Sequence, residues 1–268
     1  MGNEDRICYE ANAHYLPGEL PWDERLRRIA EAGFSTVEIL FPQRHDLDEL
    51  ESLLRRYRLR LALIDTESDP EYPRGHLSAP DAEERFWFRM NEALAICRRL
   101  GARRINVLAG RHLPGLPPAQ QRDVAVERLR RAGARAADDG IMLLIEALND
   151  LDNPGYFVSR SSEGIALIDA VGLPNVRFQH DFYHLQVMEG RLIDTFRANV
   201  GKIGHLQVGD APGRVMPGLG EINLANVLQV VEASSYRGYV GLEYRPPEDG
   251  SDPFAWLPRE KRGRILKE

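Results

Sequence analysis

Three carboxylates and one carboxamide recur along the second half of the chain at a spacing with chemical meaning. Glu146 stands at the end of the apolar run LLIEAL, Asp181 in FQHDFY, Gln207 in GHLQVG and Glu243 in VGLEYR, with separations of 35, 26 and 36 residues. Each separation is about one strand-plus-helix repeat, so the four side chains are expected at one level on neighbouring strands. Three acids gathered in one pocket cannot all stay ionised without a compensating charge, which protons or a bound cation must supply. An all-oxygen set suits a hard divalent ion such as Mg²⁺ or Mn²⁺ better than Zn²⁺, which prefers nitrogen and sulfur. Each acid alone reads most simply as a salt-bridged surface residue. Taken together at repeat spacing, Glu146, Asp181, Gln207 and Glu243 are better read as the ligands of one metal ion.

Two further residues lie close to this set in the chain. His184 follows Asp181 by three residues; it reads either as a helix-capping, internally satisfied histidine or as a hydrogen-bond donor to a substrate oxygen. Arg214 lies in GDAPGRVMPGLGEIN (209–223), a long Gly/Pro loop expected to act as a lid or substrate clamp. Its guanidinium reads either as solvated or as a bidentate partner of a carboxylate. His180 and His205 alternate along strands and are given no role.

The elements that must position these groups are short β-branched or apolar runs. They are RICYEA (6–11), TVEILF (36–41), LRLALI (59–64), RINVLAG (104–110), IMLLIEAL (141–148), VRFQHDF (176–182), IGHLQV (203–208) and YVGLEY (239–244). Between them, apolar residues fall at helical spacing: Leu26, Ile29, Ala30 and Gly33; Phe86, Met90, Ala93, Cys97 and Leu100; Ile222, Ala225, Leu228 and Val231. These stripes read as core packing. Eight strands alternating with helices in 268 residues predict a (β/α)₈ TIM barrel, a fold that needs about 250 residues. An open doubly wound sheet would place a glycine-rich phosphate turn after the first strand, and the segment there, ANAHYLPGELPWDE, contains no GxGxxG. No linker or low-complexity tract divides the chain, so residues 1–268 are read as one barrel domain.

Composition narrows the function classes. A net charge of −6 argues against a nucleic-acid-binding surface. Cys8 and Cys97 form no CxxC pair, and Cys97 in a helical stripe reads as a small buried apolar residue. The N-terminus MGNEDRICYE lacks a signal peptide's apolar run, and no segment has the apolar length of a membrane span. A cytoplasmic protein is expected. The C-terminal REKRGRILKE reads as a solvated basic tail.

With these residues in place, a family resemblance emerges. IEALND (145–150), PGYF (154–157), QHDFYHLQVMEG (179–190), IGHLQVGDAPGR (203–214), GEIN (220–223) and GYVGLEYRP (238–246) resemble the hydroxypyruvate isomerase family of xylose-isomerase-like TIM barrels. The N-terminal half is similar through EAN (10–12), AGFSTVEILFP (32–42) and INVLAG (105–110). The resemblance implies that Glu146 and Glu243 are the acid/base pair as well as metal ligands, and that Asp181 and Gln207 complete the set around Mg²⁺ or Mn²⁺. It implies substrate contacts for His184 and Arg214, and a small hydroxy-oxo acid as substrate: hydroxypyruvate, interconverted with 2-hydroxy-3-oxopropanoate. Members of this superfamily often form homo-oligomers. The similar ketose 3-epimerases usually have His where Gln207 stands, which tilts the reading to the isomerases. The loop IDTESDPEYPRGHLSA (64–79) and FPQ (41–43) depart from the family pattern of N-L-P-A-G-D-W, G-E-R-G and FPY, so the substrate stays open towards four-carbon 2-oxo acids. The rivals are a DNA-repair nuclease on the same barrel, a sugar-acid-binding protein without turnover, and a polyol lyase or dehydratase.

Overall fold

The structure is a computed structural model describing residues 7–266. Arg6 of the first predicted run, the rest of the N-terminal segment and Lys267 and Glu268 of the basic tail lie outside the described residues. Strands β1 (Ile7–Asn12), β2 (Thr36–Glu38), β3 (Arg60–Asp65), β4 (Arg104–Asn106), β5 (Met142–Glu146), β6 (Val176–Asp181), β7 (Ile203–Val208) and β8 (Gly238–Leu242) pair in sequence order. All pairs are parallel, and β8 returns to β1 to close the barrel. The TIM barrel expected from the alternation of strands and helices is the observed fold.

Helices α1 (Trp22–Glu31), α2 (Leu47–Tyr57), α3 (Glu83–Leu100), α4 (Pro118–Ala137), α5 (Ser161–Val171), α6 (Phe182–Met188), α7 (Leu192–Asn199), α8 (Leu224–Ala233) and α9 (Arg259–Arg262) join or follow the strands. Their apolar stripes face the strands because burial of each large aliphatic or aromatic side chain is worth roughly 1.5–3 kcal/mol. Leu26, Ile29, Phe86, Met90, Leu228 and Val231 are all in the buried core. Two predicted stripes are corrected at their ends. Gly33 lies past α1 at φ +98°, in the turn into β2. In α8 the buried face is Leu224, Val227, Leu228 and Val231, while Ala225 is exposed and Ile222 precedes the helix.

Several strands are shorter than their apolar runs, and the reason bears on the site. β2 ends at Glu38 because its register against β3 shifts between Val37 and Glu38, although Ile39 N–H still donates to Leu63 O at 3.2 Å. β4 ends at Asn106; Val107 N–H still donates to Leu144 O at 2.9 Å, and beyond it two backbone amides take side-chain acceptors. Leu108 N–H donates to Thr66 Oγ1 at 3.0 Å and Ala109 N–H to the Tyr156 hydroxyl at 2.8 Å. The apolar run continues, but the ladder does not, and the freed backbone forms the floor of the loops at the barrel's C-terminal face.

Candidate active site

A polar layer crosses the barrel interior beneath that face. Glu38 on β2 is fully buried; its Oε1 lies 2.7 Å from His205 Nε2, and its Oε2 accepts from Asn12 Nδ2 and Gln207 Nε2, each at 2.9 Å. Glu10 Oε1 lies 3.4 Å from the same His205 nitrogen. Burial works to raise the Glu38 carboxyl, but bonding and charge from His205 outweigh it and hold its pKa below the ordinary carboxylate value. His205, assigned no role from sequence, is the centre of this layer.

Above it stand the predicted acids. Glu146 ends β5, where Asn106 Nδ2 donates to its Oε2 at 2.8 Å. Asp181 ends β6 and caps α6, its Oδ1 accepting from Tyr183 N–H at 2.7 Å. Glu243 follows β8, its N–H donating to Val208 O at 3.0 Å. Gln207 is paired with Asp181 in the β6–β7 ladder, but its amide is occupied one layer down: Nε2 on Glu38, Oε1 accepting from Gln179 Nε2 at 2.7 Å. The structure therefore brings Glu146, Asp181 and Glu243 together around His184 and Arg214, and sets Gln207 beside Asp181 with its side chain turned inward.

Arg214 is the countercharge that repeat spacing alone did not identify. Its Nη2 donates to Asp181 Oδ2 and its Nη1 to Glu243 Oε1, both at 2.8 Å, with the Tyr15 hydroxyl 3.1 Å from Nη1. The loop that carries it is a fixed hairpin and not a loose lid. Asp210, fully buried, accepts four backbone N–H bonds from Ala211, Gly218, Gly220 and Ile222 at 2.9–3.1 Å. Arg214 itself has φ +56°, a left-handed conformation that costs an L residue of order 1 kcal/mol or more. Asp210 and the reciprocal Asp210–Val215 backbone pair hold it there.

His184 is positioned by the loop after β5. The Asn149 backbone N–H donates to its Nδ1 at 3.0 Å, so its own proton belongs on Nε2. Burial foremost, with the charges of Arg214 and Arg74, holds its pKa well below the ordinary histidine value, so the ring is neutral. Arg214 Nη2 approaches Nε2 to 2.7 Å, which sets two donors against each other. An oxygen placed between them would accept from both. His180, by contrast, is fully buried against the Phe182 ring at 4.7 Å between centroids, a packing position with no part in the site.

The electrostatics follow from enclosure. Glu146, Asp65 and Glu243 are all raised, by burial first; Glu243 and Asp181 add to the rise of Glu146, and Glu243 is pushed up to about 8. Asp181 is raised by burial against the opposing pull of Arg214. Burial lowers Arg214, but Glu243 and Asp181 overcome this and raise it well above its ordinary value, so it stays charged. The crowding of carboxylates is thus relieved by both protons and an internal cation.

Ligand atoms of Glu146, Asp181 and His184 lie within 4.8 Å of one another, and a second such group is Glu10, Glu38 and His205. The two differ in access. The deep group is closed off with both Glu38 oxygens occupied, whereas the upper one opens on a cavity of about 440 Å³ lined by Glu146, Glu243, His184, Arg214, Asp65 and Arg74. Glu146 Oε1 is buried with no hydrogen-bond partner among the described residues, which leaves it open to a ligand in the cavity. Glu146 and Asp181 of the upper group, with Glu243 on the same cavity, fit a divalent ion; His184, its Nδ1 accepting from Asn149 and its proton on Nε2, offers no free ligand atom. Sequence reasoning missed Asp65, Asn106, Tyr15 and the Asn149 contact to His184; of these only Asp65 stood at a run's end, where its position after LALI was the available signal.

A model of the xylose isomerase-like TIM barrel family matches residues 26–260. The chain belongs to that family. Within it, hydroxypyruvate isomerase of Escherichia coli is 36% identical, the match covering 94% of this chain and 98% of that protein. The 2-oxo-tetronate isomerase of Cupriavidus necator is 33% identical over 93% and 96%. A Brucella melitensis crystal structure described as an AP endonuclease, family 2, superposes with a TM-score of 0.89 at 32% identity, covering 93% of this chain and 97% of that one. The resemblance read from IEALND through GYVGLEYRP is thus borne out over nearly the whole chain, and it places the protein among isomerases. Among the described residues, no helix is long and apolar enough to cross a membrane.

Proposed function

We propose that this protein is a divalent-metal-dependent isomerase of small hydroxy-oxo acids, interconverting hydroxypyruvate and 2-hydroxy-3-oxopropanoate. The observation that carries this reading is the pair Glu146 and Glu243, which line one enclosed cavity with both carboxyls raised and Glu243 near 8. A carboxylate tuned towards neutrality takes and returns a proton near physiological pH, worth about 10²–10⁴-fold in rate. In the forward direction one glutamate takes a proton from C3 of hydroxypyruvate, and an enediolate spans C2 and C3. The other glutamate assists delivery of a proton to C2, while the hydroxyl proton of O3 is transferred to O2. His184 Nε2–H and the Arg214 guanidinium supply donors to an enediolate oxygen, where they now face one another. A bound Mg²⁺ or Mn²⁺ would supply Lewis-acid stabilisation of negative charge on the substrate oxygens. Glu146, Asp181 and Glu243 would hold it, with Gln207 as the fourth ligand once its amide leaves Gln179.

Two observations weigh among alternatives. A DNA-repair nuclease would be expected to hold several zinc ions through many histidines, yet among the described residues each candidate cluster contains a single His. The relatives' names and the acid pair favour isomerisation. The loop 64–79 departs from the hydroxypyruvate isomerase pattern and a relative 33% identical is named a 2-oxo-tetronate isomerase, which favours four-carbon 2-oxo-tetronates as additional substrates. The test is ¹H NMR of hydroxypyruvate with purified, Mn²⁺-loaded protein in D₂O. An isomeric product that has lost no water and carries one deuterium at C2 is expected, lost on EDTA dialysis and restored by Mn²⁺ or Mg²⁺. Loss of water from the substrate, or full activity in the metal-free protein, would sink the reading. A reaction on a small soluble metabolite suits a cytoplasmic enzyme.

A further inference from the structure

A substrate carboxylate needs a cation of its own, because the Arg214 guanidinium is shared between the protein's acids and, in the proposed reaction, the enediolate oxygen. Its two Nη atoms hold Asp181 and Glu243, and among the described residues its buried Nε has no acceptor. A second arginine lines the same cavity. Arg74 lies in the loop between β3 and α3, the segment that departs from the family pattern, and its side chain reaches the wall that includes Asp65, Glu146, His184 and Glu243. Among the described residues its guanidinium has no hydrogen bond or ion pair to the protein; only its backbone is engaged, the carbonyl accepting from Gly110 N–H at 2.8 Å.

The backbone around Arg74 is built for this placement. Arg74 has φ +68°, a conformation L residues seldom bear and one that clusters at functional sites. Gly75 beside it has φ +117°, and a Cβ there would lie 2.0 Å from Leu108 O, so the loop presses directly on the strand end. Downstream, buried Arg128 donates to the carbonyls of His76 and Ala79, each at 2.7 Å. Asp69 Oδ2 lies 2.9 Å from His76 Nε2 on the other side. A loop tied at this many points holds a solvent-exposed arginine at the edge of the cavity, and its charged end, without a hydrogen bond among the described residues, is open to a ligand.

We propose that Arg74 anchors the carboxylate of the substrate and thereby sets the preference of the site for sugar acids over neutral sugars. This rests on the reading of the site as acting on a hydroxy-oxo acid. Arg214 then serves the reacting end of the molecule while Arg74, across the cavity, binds the end that does not react. The anchor contributes binding shared by ground and transition states, so its loss raises KM and leaves kcat nearly in place.

The experiment compares Arg74→Met, Arg74→Lys and Arg74→Gly in the full chain, Mn²⁺-loaded, with hydroxypyruvate and with neutral dihydroxyacetone. Removal of one charge-assisted anchor raises KM for hydroxypyruvate about 10–100-fold with kcat within about threefold; Arg74→Lys recovers part of this, and turnover of dihydroxyacetone, where present, is unchanged by any of the three. Arg74→Gly, at ease at φ +68°, keeps or raises the melting temperature while showing the same KM defect, which separates anchoring from a structural role. A KM for hydroxypyruvate within twofold of wild type in Arg74→Met and Arg74→Gly overturns the proposal. If the wild-type protein isomerises no 2-oxo acid, the functional reading has failed by itself, and calorimetric titration with tartronate decides the anchor separately. At least tenfold weaker binding in Arg74→Met then supports it, and equal binding overturns it.

Discussion

Arg214 Nη2 lies 2.8 Å from Asp181 Oδ2, joining the loop after β7 to the end of β6 through an ion pair in which the carboxylate side chain is only 1% exposed. The same guanidinium reaches Glu243 at 2.8 Å, so one cation balances two acids proposed as metal ligands. A divalent ion at these oxygens would do the same electrostatic work, and protein cation and metal are therefore competitors for the carboxylates. Arg214→Met leaves both acids without their partner, and breaking a buried pair from one side typically costs about 3–5 kcal/mol. Urea unfolding of the metal-free variant at pH 8 should show a loss of that order. Saturating Mn²⁺ should recover more stability in the variant than it adds to wild type. An equal Mn²⁺ increment in the two proteins would remove the competition from the account.

Glu146 and Glu243 are the groups on which turnover depends. Replacing either by Gln keeps the size and the buried hydrogen-bonding capacity while removing the proton-transfer function. Each variant should fold with unchanged circular dichroism and lose at least about 10²–10⁴-fold in kcat on hydroxypyruvate. Near-normal isomerisation by either variant would take that residue out of the acid/base pair.

The chain displayed its barrel because the period of its apolar runs is fixed by physics: a parallel strand buried on both faces must be apolar, and the helix that returns the chain must be amphipathic. The ends of those runs were legible for the same reason, since a polar residue closing an apolar run has either a partner or a job. Glu146, Asp181 and Glu243 follow that rule. Gln207 follows it in position, but the direction of its amide depends on Glu38, a residue on the far side of the barrel and 169 positions away in sequence. Partners at that distance leave no mark in a local pattern. Arg214 shows the converse, for its loop composition permitted a solvated arginine. Only the Asp210 hub, invisible until four amides converge on one carboxylate, turns it into the site.

Stability of the metal-free protein should fall as pH rises through the neutral range. Burial foremost, with Asp181 and Glu38 adding to it against the pull of Arg214, lifts Glu243 from its ordinary 4.5 to about 8. The folded state thus holds this proton more tightly than the unfolded chain does. The contribution is whole below about pH 4.5, erodes through the interval and is gone once the pH passes the folded pKa near 8. Glu146 and Asp65 are raised as well and steepen the same slope. The acids held low, Glu38 and Asp69 among them, act in the opposite sense at more acidic pH. Glu243→Gln removes one titrating group, so its stability relative to wild type should improve between about pH 5 and pH 8, by at most about 1.4 kcal/mol per pH unit. A constant difference between the two proteins across that range would show that the Glu243 proton is not linked to folding.

The deep polar layer makes the last prediction, because it lies under the site and shares Gln207 with it. Glu38 can sit over β8 only because residue 241 is glycine: a Cβ there would meet Glu38 Oε1 at 1.9 Å and Gln207 Cγ at 3.1 Å. Glu38 has nowhere to retreat, with Oε1 against His205 and Oε2 accepting from Asn12 and Gln207. Gly241→Ala must therefore displace the carboxylate or the strand, at the roughly 1–3 kcal/mol typical of overpacking a filled interior. Gly201→Ala, where an added Cβ meets nothing within 4 Å, is the matched control and should stay within about 0.5 kcal/mol of wild type. Because Gln207 is bonded to Glu38 and neighbours Asp181, the Gly241 variant should also bind Mn²⁺ more weakly, read by equilibrium dialysis of the folded protein. Weaker metal binding at unchanged stability would mean that the layer positions Gln207 without holding the barrel together; a destabilised variant with wild-type Mn²⁺ affinity would show that Gln207 is not coupled to the metal.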